Sequence, residues 1–280
     1  MLFCYVSPFL VLTKKIFYIT TEMEPFASAS CLSNHSSDIP LHLQDQGNDV
    51  RCLMPKYGFI SERKYILREV IRLKEIPFHF HGSDIICSAK SAFLPKSRLQ
   101  VYFLEEKGFF GDLNNLLYKS KNGRFLIDND KRFTFYCMAA LKMLPNLFWY
   151  PNVIVCSGWT SALLPMLLDV LSKENKEFSK IKTIYLTNSL NEDVIFDAES
   201  LGLEKETISP IKSLNLNQIG CMYADRTIVI NREGNNISSR LMKLKVFKDS
   251  KNCSVVNLKG GEDVEYAPLF DAVDDAIKIA

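Results

Sequence analysis

Histidine is the side chain best suited to general acid–base or metal chemistry, and this chain has only His35, His42, His79 and His81. His79 and His81 alternate along one predicted strand face and offer two nitrogen ligands. Because no third ligand lies nearby in the sequence, we expect no metal site. With no histidine after His81, a serine–histidine or cysteine–histidine relay that uses a downstream histidine is excluded.

The eight cysteines are scattered, and no two of them have the CxxC spacing of redox or zinc motifs. Several sit in apolar runs, such as the one that ends at Cys156. We therefore interpret them as reduced core residues of a cytoplasmic protein, rather than as disulfides or zinc ligands.

Composition excludes several classes of protein. The 280 residues carry a formal net charge of +2, with 47% apolar and 24% charged residues. This near-neutral balance gives no reason to expect a nucleic acid or a membrane as partner. Residues 1–14 are expected to be an N-terminal extension. The apolar run there lacks a basic region before it and is too short to span a bilayer.

Apolar runs alternate with helical patterns along the chain. Strands are predicted at 16–21, 50–54, 76–80, 99–104, 153–156, 182–186 and 227–230. Helices are predicted at 38–47, 132–144, 162–171, 217–224 and 237–247, with Asp38 and either Thr160 or Ser161 as caps. Continuous apolar strands separated by helices predict a doubly wound parallel sheet of the α/β class, covered on both faces.

Other segments have weaker patterns. Residues 61–95 resist a clear assignment apart from the strand at 76–80, and 105–123 looks like a loop. Residues 251–280 become acidic and are expected to form a loosely docked C-terminal tail. One domain is therefore predicted at 15–250.

Two motifs at the start of the chain carry a family resemblance. Residues 21–26 read T-E-M-E-P-F, and residues 47–58 read G-N-D-V-R-C-L-M-P-K-Y-G. Collinear matches follow in the D-N-D-K-R-F of residues 128–133, in residues 151–165 and in the Y-A-D of residues 223–225. In this order they resemble the glycogen/starch synthase family, whose members have S-E-x-x-P-F and G-H-D-V-R-V-L-x-P-x-Y-G.

The resemblance implies a fold and an activity. It implies the N-terminal, Rossmann-like, acceptor-side domain of a two-domain glycosyltransferase of the GT-B arrangement, in a short stand-alone bacterial form. The activity would be transfer of glucose from ADP-glucose to the non-reducing end of an α-1,4-glucan. ADP-glucose would be the donor substrate, and no cofactor is expected.

The chain departs from the family at the phosphate-binding loop. In the family's K-T-G-G loop, glycines allow the backbone to approach the phosphates and a lysine supplies charge. Here Ser28 replaces the lysine, Ser30 and Cys31 replace the glycines, and Asn34 replaces an aspartate. We expect this degenerate loop no longer to bind a diphosphate in the family manner.

Two further motifs lack their histidine. The family's H-D-W reads Ser157-Gly158-Trp159, and its I-H-N reads Thr187-Asn188-Ser189. The resemblance also implies that most donor-binding groups belong to a C-terminal domain, for which the chain is too short. We therefore assign no catalytic residue and expect no activity from the chain alone.

Six residues are candidates for glucan binding, and each has a plainer alternative. Glu22 can line the cleft or lie in a solvated turn, and Tyr57 can contact a glucan or belong to a surface pair with Lys56. Trp159 can stack on a sugar ring or pack in the core. The other three candidates are Asp128, Asn129 and Ser157. Helix capping explains the first two equally well, and Arg132 is expected to pair with Asp128 or Asp130.

Two functions of different class remain open. One is an ADP-glucose-dependent α-glucan synthase, or its acceptor-side half completed by another chain. The other is a catalytically inactive module that binds α-glucan or regulates another protein of glycogen metabolism.

Overall fold

The computed structural model describes residues 13–113, 115–189, 215–232, 237–241, 243, 252–259 and 265–280. Their strands form one ten-stranded sheet in the order β10-β9-β8-β7-β1-β2-β6-β5-β3, with β4 paired to β5. The pairs from β10 to β6 are parallel, and those of β3, β4 and β6 with β5 are antiparallel.

The strands are β1 (Lys15–Ile19), β2 (Asp49–Pro55), β3 (Arg68–Glu69), β4 (Ile76–Phe80), β5 (Ser83–Phe93), β6 (Gln100–Glu105), β7 (Val153–Ser157), β8 (Lys182–Thr187), β9 (Arg226–Arg232) and β10 (Cys253–Leu258). The helices are α1 (Leu32–Asp45), α2 (Glu62–Tyr65), α3 (Asn129–Leu147), α4 (Leu164–Ser172), α5 (Leu216–Tyr223), α6 (Ile237–Leu241) and α7 (Ala267–Ile279). The mostly parallel sheet with flanking helices confirms the predicted fold class.

The central strands are apolar because they are covered on both faces. All five residues of β7 are buried, as are four of the five in β1. This burial explains why these strands were readable as continuous apolar runs.

Helix α1 begins earlier than predicted. Its first residue is Leu32 rather than one following Asp38, so Pro40 lies inside the helix. Ser30 starts the helix, since its Oγ accepts from the Leu32 amide at 3.2 Å and its carbonyl accepts from the Ser33 amide at 3.2 Å. The prediction missed this start because serines occupy the buried positions of the first turns, so the apolar residues there show no helical spacing.

Neither predicted cap of α4 is correct. Thr160 and Ser161 lie in a 3₁₀ turn, and the helix begins at Leu164 without a side-chain cap. The Ser161 hydroxyl donates instead to the Gly158 carbonyl at 2.9 Å.

The segment predicted as a loosely docked tail is part of the domain, which corrects the boundary at residue 250. Strand β10 pairs with β9 in parallel. Helix α7 packs on α1, where Phe270 stacks on His42 and Asp274 lies 2.9 Å from His42 Nε2. The acidic residues of α7 masked its apolar face, which buries Leu269 and Val273.

The segment at 61–95 contains the antiparallel edge. Strands β4 and β5 form a hairpin, and β5 also pairs with β6 and β3. Across the described ranges, no helix is long and apolar enough to cross a membrane.

Candidate functional site

Three matched motifs meet at one edge of the sheet. Because β1, β2 and β7 run parallel as neighbours, the residues after each strand lie at their common carboxyl edge. Glu22 follows β1, Tyr57 follows β2, and Ser157 ends β7. In open α/β sheets, ligands bind at this edge.

Glu22 is fully buried at this edge and holds the degenerate loop. Its Oε2 accepts from the amides of Ala29 at 2.8 Å and Ser30 at 2.6 Å. Its Oε1 accepts from the Ser30 hydroxyl at 2.9 Å. The solvated-turn alternative for Glu22 is therefore wrong, because the carboxylate is an internal partner of the loop.

Tyr118 connects this carboxylate to the rest of the site. Its hydroxyl donates to Glu22 Oε1, and its carbonyl accepts from Asn129 Nδ2 at 2.9 Å. Burial, and then the Glu22 carboxylate, raise the pKa of Tyr118 above its usual range. Sequence reasoning missed this residue, since its only signal was an aromatic side chain in a segment rich in glycine and asparagine.

Trp159 packs in the core, as the second of its two interpretations predicts. Its side chain is only 4% exposed. Its ring makes edge contacts with Tyr118, Phe133 and Phe125 at centroid distances of 5.3, 5.2 and 6.1 Å. The indole packs against the Tyr118 ring and, because it is buried, offers no open ring face to a sugar.

Tyr57 is also buried, and its hydroxyl donates to the Thr21 carbonyl at 2.9 Å. The exposed aromatic ring here is its neighbour Phe59. That ring stacks on Tyr57 at 5.4 Å with an interplanar angle of 8°, and it is 41% exposed. Tyr57 therefore has no exposed surface to offer a glucan, whereas Phe59 has.

The side chains of Asp128 and Asn129 differ in how much of their surface is exposed. The Asp128 side chain is 45% exposed and forms the predicted ion pair with the buried Arg132. It makes no side-chain cap bond to α3. Asn129 is 1% exposed, and its Oδ1 has no hydrogen-bond partner within the described ranges. Asp128 is thus the one of the six glucan candidates with a largely exposed side chain.

The degenerate loop is internally bonded. Ser28 Oγ lies 2.8 Å from Ser33 Oγ, and Cys31 Sγ accepts from Asn188 Nδ2 at 3.6 Å. The amides of Ala29 and Ser30 already face the Glu22 carboxylate. A second anion at the same amides would meet that negative charge.

Ser157 and the turn after it are closely packed. The buried Ser157 Oγ accepts from the Tyr18 hydroxyl at 3.0 Å. Gly158 has φ +82°, and a Cβ there would lie 2.7 Å from Leu32 Cδ2. The turn therefore packs closely against the start of α1.

Asn34 is an exposed residue of the first turn of α1, and its Oδ1 accepts from the Ser33 hydroxyl at 3.4 Å. His79 forms an exposed pair with Asp84 at 2.8 Å. The described residues include no cluster of three potential metal ligands, and the seven cysteines among them are free thiols.

Comparison with known proteins agrees with this geometry. Residues 15–233 match the sequence profile of the starch synthase catalytic domain. A glycogen synthase of Chlorobium limicola is 33% identical over 176 residues, which are 63% of this chain and 36% of that protein. A glycogen synthase of Chlorobium luteolum is 28% identical over 262 residues, which are 93% of this chain and 53% of that protein.

A solved structure shares the fold. The catalytic domain of starch synthase IV from Arabidopsis thaliana, bound to ADP and acarbose, superposes with a TM-score of 0.72 at 17% identity. The match covers 88% of this chain and 51% of that one, so the chain spans about half of the related structure. Since the family profile extends over residues 15–233, the chain belongs to the family of starch synthase catalytic domains.

Proposed function

We propose that this chain is the acceptor-side lobe of a glucosyltransferase of the glycogen/starch synthase type. The donor is ADP-glucose, and the acceptor is the non-reducing end of an α-1,4-glucan. A second lobe completes the cleft, in the cytoplasm. No cofactor takes part.

The reaction defines what each lobe must do. The bond between glucose C1 and the diphosphate oxygen breaks, and ADP leaves with the electron pair. The acceptor hydroxyl oxygen bonds to C1 and releases its proton. Such a transfer depends on holding acceptor and donor in line and on neutralising the departing diphosphate.

The observation that carries the proposal is the meeting of the matched motifs at one sheet edge. Glu22 and Asn129 are joined there through Tyr118. Within this site Phe59 and Asp128 present exposed groups, an aromatic face and a carboxylate. An apolar ring beside a few polar groups is the usual composition of a small-molecule or sugar site. We assign acceptor contact to these two residues and scaffolding to the buried ones.

Transfer of labelled glucose tests the proposal. The full chain is incubated with radiolabelled ADP-glucose and glycogen, alone and together with candidate second-lobe chains from the same cells. The Chlorobium luteolum glycogen synthase serves as the positive control. We expect incorporation where a second lobe is present, because the match to this chain covers 53% of that relative. No incorporation in any combination contradicts the proposal.

The inactive alternative predicts a different result in the same assay. A glucan-binding module would co-sediment with glycogen and yet support no transfer with any partner chain. The motivation for retaining this outcome is the loop, where Ser28 provides no cation and Glu22 occupies two amides.

A further inference from the structure

We infer that the chain has a second binding surface, which takes an extended acidic segment of another protein. The surface is a concave space at the end of the sheet, between α2, the start of β3 and the last residues of β5, and we call it the edge notch. It lies where β6 begins at Gln100, away from the carboxyl edge that holds Glu22 and Phe59. The inference therefore does not rest on the proposed glucosyl transfer.

The edge notch has an apolar lining and a volume of about 370 Å³. Ile66 and Phe93 belong to this lining, and they are 66% and 61% exposed. Tyr65 and Pro95 complete its apolar part. Large apolar side chains that stay exposed around a concavity are typical of surfaces that bind a partner.

Strand β5 is left without a partner at the edge notch. On the side away from β6 it pairs with β4 and then with β3, and the last residue paired there is Ser91. Within the described ranges no strand continues this pairing to Phe93. Because Val70 donates to the Ala89 carbonyl at 3.4 Å, main-chain alternation directs the N–H and C=O of Phe93 to the same open side. An open strand edge is a template for the addition of an extended peptide.

The edge notch also carries an excess of positive charge. Five exposed cations lie in its lining or in the segments next to it: Arg63, Lys64, Arg68, Lys96 and Arg98. In the part of the chain that the structure describes, no carboxylate lies within ion-pair distance of any of them. The nearby carboxylates face other lysines, since Glu62 lies 2.8 Å from Lys90 and Glu69 lies 3.9 Å from Lys74. These five charges exceed the net charge of the whole chain, +2, so the surface favours an acidic partner.

These features together favour a protein segment over an anionic lipid surface. A membrane takes up apolar groups that project from a surface, whereas the apolar residues here line a concavity. An extended peptide would use all three features. Its main chain pairs with Phe93, its apolar side chains enter the edge notch, and its carboxylates meet Lys64 and Arg68. Since side chains alternate along a strand, we assign the surface to a segment in which acidic and apolar residues alternate.

Fluorescence anisotropy of a labelled peptide tests the inference on the full chain. The probe is a short peptide of alternating glutamate and valine residues, and we expect the wild-type chain to bind it. Arg68→Glu should bind at least about tenfold more weakly, because it places like charges against each other. Lys176→Glu is the matched control, since Lys176 is an exposed cation between α4 and β8, away from β3 and β5 in the sheet order. Its affinity should equal that of the wild type. No binding by the wild type, or equal binding by the two variants, overturns the inference.

Two further probes need no variant. N-methylation of the peptide removes its main-chain donors and keeps its side chains and charge, so the methylated peptide should not bind. Equal binding of the two peptides overturns the inference. Co-sedimentation with vesicles of phosphatidylserine and phosphatidylcholine tests the membrane alternative. A chain that binds these vesicles and not the peptide overturns the inference in favour of a lipid surface.

Discussion

Glu22 has no exposed surface, yet its carboxylate meets two amides and a hydroxyl of the loop and the Tyr118 hydroxyl. Charge-assisted hydrogen bonds of this kind are stronger than neutral ones. They offset the desolvation of the carboxylate and fix the path of the loop between β1 and α1. The loop is therefore held by a side chain of the protein, where the family resemblance implies a diphosphate.

Replacing Glu22 tests this role. Glu22→Ala removes the acceptor of all four contacts, so we expect a loss of about 2 kcal/mol in the free energy of unfolding. The amides of Ala29 and Ser30 should also exchange faster with solvent. Urea unfolding and amide hydrogen exchange measure the two effects. Glu24→Ala is the matched control, since Glu24 is exposed, and it should change stability by less than about 0.5 kcal/mol. Equal effects of the two substitutions would contradict the account.

The buried side chain of His35 makes the stability of the folded protein depend on pH. Burial, and then the Arg232 guanidinium, lower the pKa of His35 from 6.5 to about 4. The unfolded chain therefore binds a proton below pH 6.5 that the folded chain refuses until about pH 4. Stability is present above this window and is lost as the pH falls through it.

Comparison with a variant that does not titrate isolates this contribution. Between pH 7 and pH 5 the wild-type chain should lose about 2 kcal/mol more stability than His35→Gln. Urea unfolding at both pH values measures the difference. An identical loss in the two proteins would show that His35 is not held neutral.

Contacts between residues close in the sequence could be predicted, whereas contacts between distant residues could not. The Asp128–Arg132 pair was predictable, because the two residues are four apart on one helix. The Tyr118–Glu22 contact was not, since it joins residues 96 apart through a segment without periodicity. Arg232 and His35, 197 residues apart, were missed for the same reason.

At the scale of elements, turns that follow the strands depend on close backbone contacts. Gly58 closes the turn after β2, and a Cβ there would lie 1.9 Å from the Gly111 carbonyl oxygen. That oxygen belongs to the backbone of the neighbouring turn after β6 and has little freedom to move. The glycine of the Y-G motif is thus required by packing between two turns, independent of any ligand.

Gly58→Ala should therefore cost more than about 3 kcal/mol, because the turn at 107–111 must shift to make space. Gly47→Ala is the control. Gly47 has φ +87° but nothing within 4 Å of its Cβ position, so only backbone strain of about 1 kcal/mol is expected. Thermal or urea unfolding compares the two variants. A Gly58 variant as stable as the Gly47 variant would contradict the turn packing.

Elements with a single strong pattern were predictable. The parallel strands and α3 follow apolar runs and helical spacing closely enough to be placed within a few residues. The β4–β5 hairpin was only half recognised, since the exposed positions of β5 and the positive φ of His81 leave no common hairpin signature. The start of α1 was missed because buried serines form its first turns.

For the whole molecule, the main finding is that the sheet continues to β10 and is covered there by α7. Six buried apolar side chains come from these two elements: Val256, Leu258, Leu269, Val273, Ala276 and Ile277. The acidic composition of residues 251–280 suggested a loosely docked tail. Composition is an average over the whole segment, so it does not show that the apolar residues of α7 share one face. The apolar face of α7 is visible only once its partner α1 is known.

Truncation tests whether this segment belongs to the domain. A chain that ends at residue 250 exposes the surfaces that these six side chains cover. Burial of each of the five larger side chains contributes roughly 1.5–3 kcal/mol, and the sum is comparable to the stability of a whole domain. We therefore expect the truncated chain to lose cooperative unfolding, as followed by circular dichroism. A truncated chain with an unchanged melting transition would restore the interpretation as a tail.

Binding of an α-glucan is the most direct test of the central claim, that this chain is an acceptor-side lobe. The full chain is titrated calorimetrically with maltoheptaose, beside Phe59→Ala and Phe93→Ala. Phe59 is exposed at the carboxyl edge, whereas Phe93 is 61% exposed and pairs with Gln100 at the opposite edge. We predict that the wild-type chain and Phe93→Ala bind equally and that Phe59→Ala binds about tenfold more weakly, as for the loss of one apolar ring contact. No binding by the wild-type chain, or equal binding by the two variants, would contradict the claim.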